Sequence, residues 1–433
     1  MTRYFAFSLL LAALAAAAFP SFATGLLRKG ADACFDKNIK TIQLRKLNSE
    51  MTDPVITLGS GDRLLLSFDD LSEDIRYFSY KVALCDADWS ESNLLFSDYV
   101  EGFPSDNISS REQSFNTLVS YAHYALEVPN PQMQLKLSGS YLLKVYDGDN
   151  PDEVLFQKSF SVVEHSAVGV QVGVRKLPLA GNDACSQQLA ITVEHPSFPI
   201  SQPYTELKVR VEQNGYRFPD VAAPTPTFVR SGYIDYSHPS KNLYPGGSEY
   251  RHFDVSSLEY KMLRVREILN INGAYRVQVE RDEVFRQYLY NPDVNGRYVV
   301  RSERYRDESD TQSDYPSVFL SLHMEQPLKG KIYVFGEISG WELSNDFVML
   351  YDSRRRAYEL SIPAKQGYYN YKYVYVDENG ALDMGKIDAC SSETENIYGV
   401  YVYYRAATDR HDRLLNVTWV SAQETLGKSK SGL

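Results

Sequence analysis

Few residues of this chain stand in spacings that chemistry requires. Its seven histidines, His123, His165, His195, His238, His252, His323 and His411, are scattered without metal-ligand spacing. No GxSxG turn presents a serine nucleophile, no glycine-rich loop is laid out to cradle a phosphate, and HExxH does not occur. Carboxylates are plentiful, but acid–base catalysis needs two in one cleft with separated pKa values. Asp86, Asp88, Asp147 and Asp149 come nearest to a calcium site, and no full ligand loop surrounds them. The sequence therefore predicts no catalytic turnover, no metal and no cofactor, and makes a small-molecule ligand an unexpected partner.

Other residue patterns suit binding. In YYNYKYVYVD, Tyr369, Tyr371, Tyr373 and Tyr375 share one face of a strand, with Asn370, Lys372, Val374 and Val376 opposite. Such a stripe is packed against another layer or turned to a partner, which makes Tyr369, Tyr371 and Tyr373 candidate contacts. Between Trp89 and Phe115, the residues Phe96, Tyr99, Val100 and Phe103 stand among Asp, Ser and Asn. That excursion is too apolar to stay bare: it packs back on its own domain or forms a partner face. Trp89, at a strand end, is expected in the core, whereas Tyr99 and Phe103 are the candidates for partner contact. In EYRHFD, Glu249, Arg251 and Phe253 alternate with Tyr250 and His252, a pattern expected to anchor the fold through local charge pairs.

The elements that position these residues read as strands throughout, so the fold class is mostly β: tandem immunoglobulin-like sandwiches after a cleaved signal peptide. Residues 1–23 combine Arg3, an apolar run and Ser21-Phe22-Ala23, the pattern of a secretory signal. Pro20 ends the run short of a membrane span, and no later stretch is long and apolar enough to cross as a helix. Phe78, Tyr80, Val82 and Leu84 alternate in one strand, Ala122, Tyr124, Leu126 and Val128 in another, and Tyr141, Leu143 and Val145 in a third. These place a first domain over 24–165. Alternating Val168 to Val174 and Leu207 to Val211 place a middle β domain over 166–314, with Pro219 to Pro245 as an irregular excursion and the charged RSERYRDESDTQSD at 301–314 as a linker or long exposed loop. A C-terminal domain occupies 315–425, and 426–433 is a polar tail. Transmembrane barrel strands are longer and carry an uncharged outer face, which these short, proline-interrupted strands lack.

Composition narrows the partners. The 45 basic against 56 acidic residues leave a net charge of −11, which repels phosphate backbones and excludes nucleic acid. Tyrosine (33) outnumbers phenylalanine (20), which suits surfaces that are apolar with a polar tip. The four cysteines, Cys34, Cys85, Cys185 and Cys390, allow three pairings or none. Only Cys34 and Cys85 fall in one expected domain.

The strings CDADWSESNLLFSDYVEGF, SFNTLVSYAHYALEVPN and SGSYLLKVYDGD closely resemble the first domain of the type IX secretion system plug proteins of Bacteroidota. The resemblance continues through QNGYRF at Gln213 to Phe218, GSEYRHFD at Gly246 to Asp254 and DVNGRYV at Asp293 to Val299. It implies a periplasmic protein on the inner side of the outer membrane that binds the giant translocon barrel and closes its channel when no cargo is engaged. The last segment, with Trp341 after one strand and Glu395-Asn396 after YNYKYVYVD, is similar to the early-set glycan-binding domains of amylolytic enzymes. That likeness implies an alternative, an exported carbohydrate-binding protein using Trp341, Lys372 and Asn396.

Overall fold

The structure, a computed structural model, describes residues 32–148, 150, 152–176, 185–217, 223–238 and 241–423. The expected signal at 1–23, the tail at 426–433 and Asp149 of the acidic loop lie outside the described residues. The chain is mostly β, in three packed sandwiches.

The first sandwich closes within residues 33–163. One sheet runs Ala33–Cys34, Val154–Val163, Gly139–Asp147, Phe78–Cys85, Asp106–Asn107, with Val55–Thr57 parallel to Val154–Val163. The other runs Ile39–Lys46, Leu64–Asp70, Ala122–Val128, Ser110–Gln113. Alternation along Phe78–Cys85 and Ala122–Val128 turns every second side chain inward. Those side chains meet at Phe68, whose ring stacks on Tyr124 at 5.1 Å and meets Phe78 and Phe156 edge-on at 5.3 and 4.9 Å.

The remaining chain does not divide at 314. Leu207–Gln213 pairs with Ile397–Tyr404, nearly two hundred residues later, and Arg413–Ser421 completes that sheet. Against it packs the sheet of Gly169–Lys176, Ser186–Glu194, Tyr233–Asp235, Phe228–Arg230 and Leu243–Pro245. The third sandwich is nested between the two halves of the second. Its sheets are Val265–Ile271, Ala274–Val279, Ser317–His323, Ala357–Pro363, Leu350–Asp352 and, facing them, Arg251–Asp254, Gly367–Val376, Tyr298–Val300, Lys331–Phe335 and Leu382–Asp383. The expected domains 166–314 and 315–425 therefore each contain parts of both sandwiches. Period-2 alternation identifies a strand but not its partner, and hydrogen bonds between strands are indifferent to sequence distance.

Two further expectations change for the same reason. The excursion from Pro219 to Pro245 carries three short strands that extend the second sandwich. The supposed linker at 301–314 folds into helical turns, Arg306–Glu308 and Ser309–Gln312, and buries Gln312, Ser313 and Asp314.

Where the chain leaves the second sandwich, Gly246 donates its N–H to the Cys185 carbonyl at 2.7 Å, and a Cβ on Gly246 would lie 1.9 Å from the Ser391 carbonyl oxygen. A Cys185–Cys390 disulfide closes the same crossing, linking the second sandwich to the exit of the insertion. Cys34 is exposed and unpaired; Cys85 is buried and unpaired, and burial pushes its thiol up to about 12. Replacing Cys185 and Cys390 together with serine is expected to cost about 2–4 kcal/mol. The urea midpoint of the oxidised protein checks this, and equal midpoints for the two proteins would contradict it.

Candidate partner-binding surface

The tyrosine stripe lies inside. Tyr369, Tyr371 and Tyr373 are buried in the third core, so none can touch a partner. Their hydroxyls explain why tyrosine is used there. Tyr371 and Tyr373 each donate to one carboxylate oxygen of buried Asp282 at 2.7 Å, and Tyr369 donates to the Lys365 carbonyl at 2.5 Å. Burial pushes all three phenols up, keeping them protonated donors. The other Asp282 oxygen accepts from Arg251 at 2.8 Å and Arg264 at 2.9 Å, and Asp388 takes the rest of the Arg251 fork at 2.6 Å. The pairing expected of Arg251 is therefore present, but as a buried network rather than a surface bridge.

The opposite face of Gly367–Val376 is covered as well. Lys372 donates to the Ser248 carbonyl at 3.0 Å and sits 3.8 Å over the Tyr250 ring, and burial lowers its pKa to about 8. Trp341 packs against Tyr216 at 5.4 Å and Phe335 at 5.6 Å. Asn396 donates to Gln187 and to the Gly246 carbonyl, both at 2.9 Å. The three residues expected to hold a sugar are thus side chains of the junction between the second and third sandwiches, with exposures of 1–2%. No pyranose can stack on an indole enclosed this way.

Glu249 lies at the same junction. It accepts from the Tyr288 hydroxyl at 2.5 Å and the Glu395 N–H at 3.1 Å, and burial raises its pKa to about 7 despite those bonds. A carboxyl near 7 and an ammonium near 8 are values suited to acid–base work. Here both are consumed by packing: the Lys372 ammonium is capped by a carbonyl and a ring, and the Glu249 carboxylate by the Tyr288 hydroxyl and the Glu395 N–H. Among the described residues no cluster of His, Cys, Asp and Glu could hold a metal ion.

Polar seams tie the sandwiches together. Between the first and third, buried Asp69 accepts from Lys365 at 2.6 Å and Tyr315 at 2.5 Å through one oxygen, while His123 lies 2.7 Å from the other. Burial pushes the Asp69 carboxyl up, but Lys365 and His123 outweigh it and hold it below the usual range. Beside this pair the Asp314 carboxylate accepts from the Leu118 and Val119 N–H groups at 2.7 and 3.0 Å. Between the first and second sandwiches, buried Asp412, held by Lys208 of its own sandwich at 2.8 Å, accepts from the Ala87 N–H at 2.9 Å, and Glu164 takes Arg413 at 2.6 Å. Trp89 is half-buried on this seam, its ring 5.6 Å from the Arg217 guanidinium, instead of in the core.

The aromatic excursion splits in two. Tyr99, closing the Phe96–Tyr99 helical turn, points into the first core against Tyr141, so it is an anchor of the fold. Phe103, just past the short Val100–Gly102 ribbon, is 60% exposed, and Leu95 at the other end of the turn is 69% exposed. Leu95 was not singled out by its sequence context, where it is one of two adjacent leucines. Large apolar side chains held outward on an ordered segment suit contact with a protein. Among the described residues no helix is long and apolar enough to cross a membrane.

Residues 39–164 match the family model described as type 9 secretion system plug protein 1st domain. No curated protein matches the chain. A crystal structure of a hypothetical protein from Parabacteroides merdae is 31% identical, with a TM-score of 0.84, and the match covers 90% of this chain and 98% of that one.

Lys365→Met leaves Asp69 buried without its cation and is expected to destabilise the protein by about 3–5 kcal/mol. Denaturant unfolding checks this; a loss below about 1 kcal/mol would mean the seam contributes little. Glu249 gives a pH signature of known sign. Because its folded pKa is raised, the folded state binds that proton more tightly, and its stabilising contribution fades as pH rises from the ordinary glutamate range toward 7. Glu249→Gln is therefore expected to raise the melting temperature more at about pH 8 than at about pH 5. An equal shift at both would contradict the assignment.

Proposed function

Because the chain belongs to the type IX secretion system plug protein family, with a role in type IX secretion, we propose that it is a non-enzymatic plug. In this reading it is exported to the periplasm, binds the inner side of the outer-membrane translocon barrel and closes its channel when no cargo is engaged. The observation that carries the reading is the match of residues 39–164, nearly all of the first sandwich, to the plug domain. Physical features support it. A channel wide enough for folded cargo leaks solutes unless something stiff fills its mouth, and the buried Asp69–Lys365 pair and the Glu164–Arg413 pair between sandwiches resist the sliding that would open a gap. The Leu95 and Phe103 side chains supply apolar anchors on that same first sandwich.

Leu95→Ala with Phe103→Ala is expected to weaken capture of the translocon barrel from solubilised outer membranes by about thirtyfold or more, the effect of losing roughly 2 kcal/mol of anchor contact. Melting temperature stays unchanged, since both side chains are exposed, and cells carrying the variant become permeable to large antibiotics. Undiminished capture would remove this segment from the sealing surface, and failure of the unaltered chain to capture any barrel would remove the plug reading.

A further inference from the structure

The outer face of one third-sandwich sheet is open to solvent and differs from the rest of the molecule. Cross-strand register sets Leu269 beside Arg276, and Gln278 beside Phe319. Their neighbours Ile268, Val277 and Val318 point the other way, into or against the core. The outward residues bound a groove of about 490 Å³ whose walls include Arg266, Leu269, Ile271, Arg276, Phe319 and Arg355. Leu269, Ile271 and Phe319 are exposed.

Charge sets this groove apart. It gathers four arginines, with Arg281 as the fourth, against two glutamates, Glu267 and Glu359, an excess of positive charge in a chain of net −11. Arg355 is engaged by Glu359 at 3.0 Å, and Arg281 by backbone carbonyls of Arg355 and Arg356. Arg266 and Arg276 are exposed and make no ion pair among the described residues. Unpaired guanidinium forks beside exposed aliphatic and aromatic side chains match a ligand that presents carboxylates and apolar groups together.

We propose that this groove binds an acidic polypeptide segment of a partner, its carboxylates on Arg266 and Arg276 and its apolar side chains against Leu269, Ile271 and Phe319. A concave groove accommodates a chain, whereas a bilayer presents a flat surface. The proposal is independent of the plug reading, since it concerns a different sandwich from Leu95 and Phe103 and its test contains no translocon.

The probe is a fluorescent synthetic peptide alternating Glu and Leu, titrated by anisotropy into the full chain. Binding is expected to weaken with added salt. Arg266→Glu with Arg276→Glu is expected to weaken it by about tenfold or more, and a Lys–Leu peptide is expected not to bind. Phe319→Ala should weaken binding while keeping its salt dependence, which separates the apolar contribution from the charged one. Melting temperatures confirm that the variants fold. Equal affinity of the charge-reversed protein would overturn the proposal. So would arginine-dependent binding to phosphatidylglycerol vesicles without peptide binding. A self-association in sedimentation that the charge reversal abolishes would also overturn it, by making a second copy of this acidic chain the occupant.

Discussion

One strand, Gly367–Val376, is buried on both faces, and two of the three sandwiches are arranged around that fact. Its tyrosine face lies in the third core and its Val374 in the second, so the strand is a wall shared by two hydrophobic interiors. A wall of this kind cannot carry an unsatisfied polar atom on either side, because there is no water to take it. Asp282 answers on one side, receiving two phenols and two arginines; the Ser248 carbonyl and the Tyr250 ring answer on the other, receiving Lys372. Such networks are costly to leave half-made, which ties the nested insertion to one register and one orientation.

The abundance of tyrosine takes its meaning from the same constraint. Composition suggests half-wet aromatic surfaces, yet many of these phenols sit in the interior as polar wiring. Tyr141 donates to the Leu137 carbonyl, Tyr121 to that of Ser313, Tyr315 to Asp69, and Tyr398 to Gln187. Tyrosine fills volume as phenylalanine does while delivering a donor to a carbonyl or carboxylate that burial would otherwise strand. The large side chains that remain outside include Leu95, Phe103 and Phe319, which have no polar tip, alongside tyrosines such as Tyr77 and Tyr204.

The seams extend this logic between sandwiches. Asp69 with Lys365, and Glu164 with Arg413, are pairs whose members come from different sandwiches, so sliding one against the other would separate the charges and leave buried Asp69 bare in a dry neighbourhood. A buried charge pair that spans two packed bodies supplies resistance to shear without moving parts. Enzymes place perturbed acids and bases opposite a cleft; here Glu249 and Lys372 are perturbed because they are walled in at a junction.

What the sequence by itself determined was local. Period-2 alternation located Phe78–Cys85, Ala122–Val128 and Gly367–Val376 and assigned their faces correctly, because side-chain direction in a strand follows from backbone geometry alone. The motif strings QNGYRF and GSEYRHFD, with the first-domain strings, pointed to the plug family, and the lack of catalytic spacing could be read directly. Whether a face is covered was not local. The stripe at Tyr369, Tyr371 and Tyr373, the trio Trp341, Lys372 and Asn396, and the inward turn of Tyr99 depend on strands and loops far away in the chain. The pairing of Leu207–Gln213 with Ile397–Tyr404, and of Cys185 with Cys390, likewise depends on the insertion folding between them. A strand's own residues fix which atoms point up and which point down, but only the arrival of a second layer decides which of those directions is water.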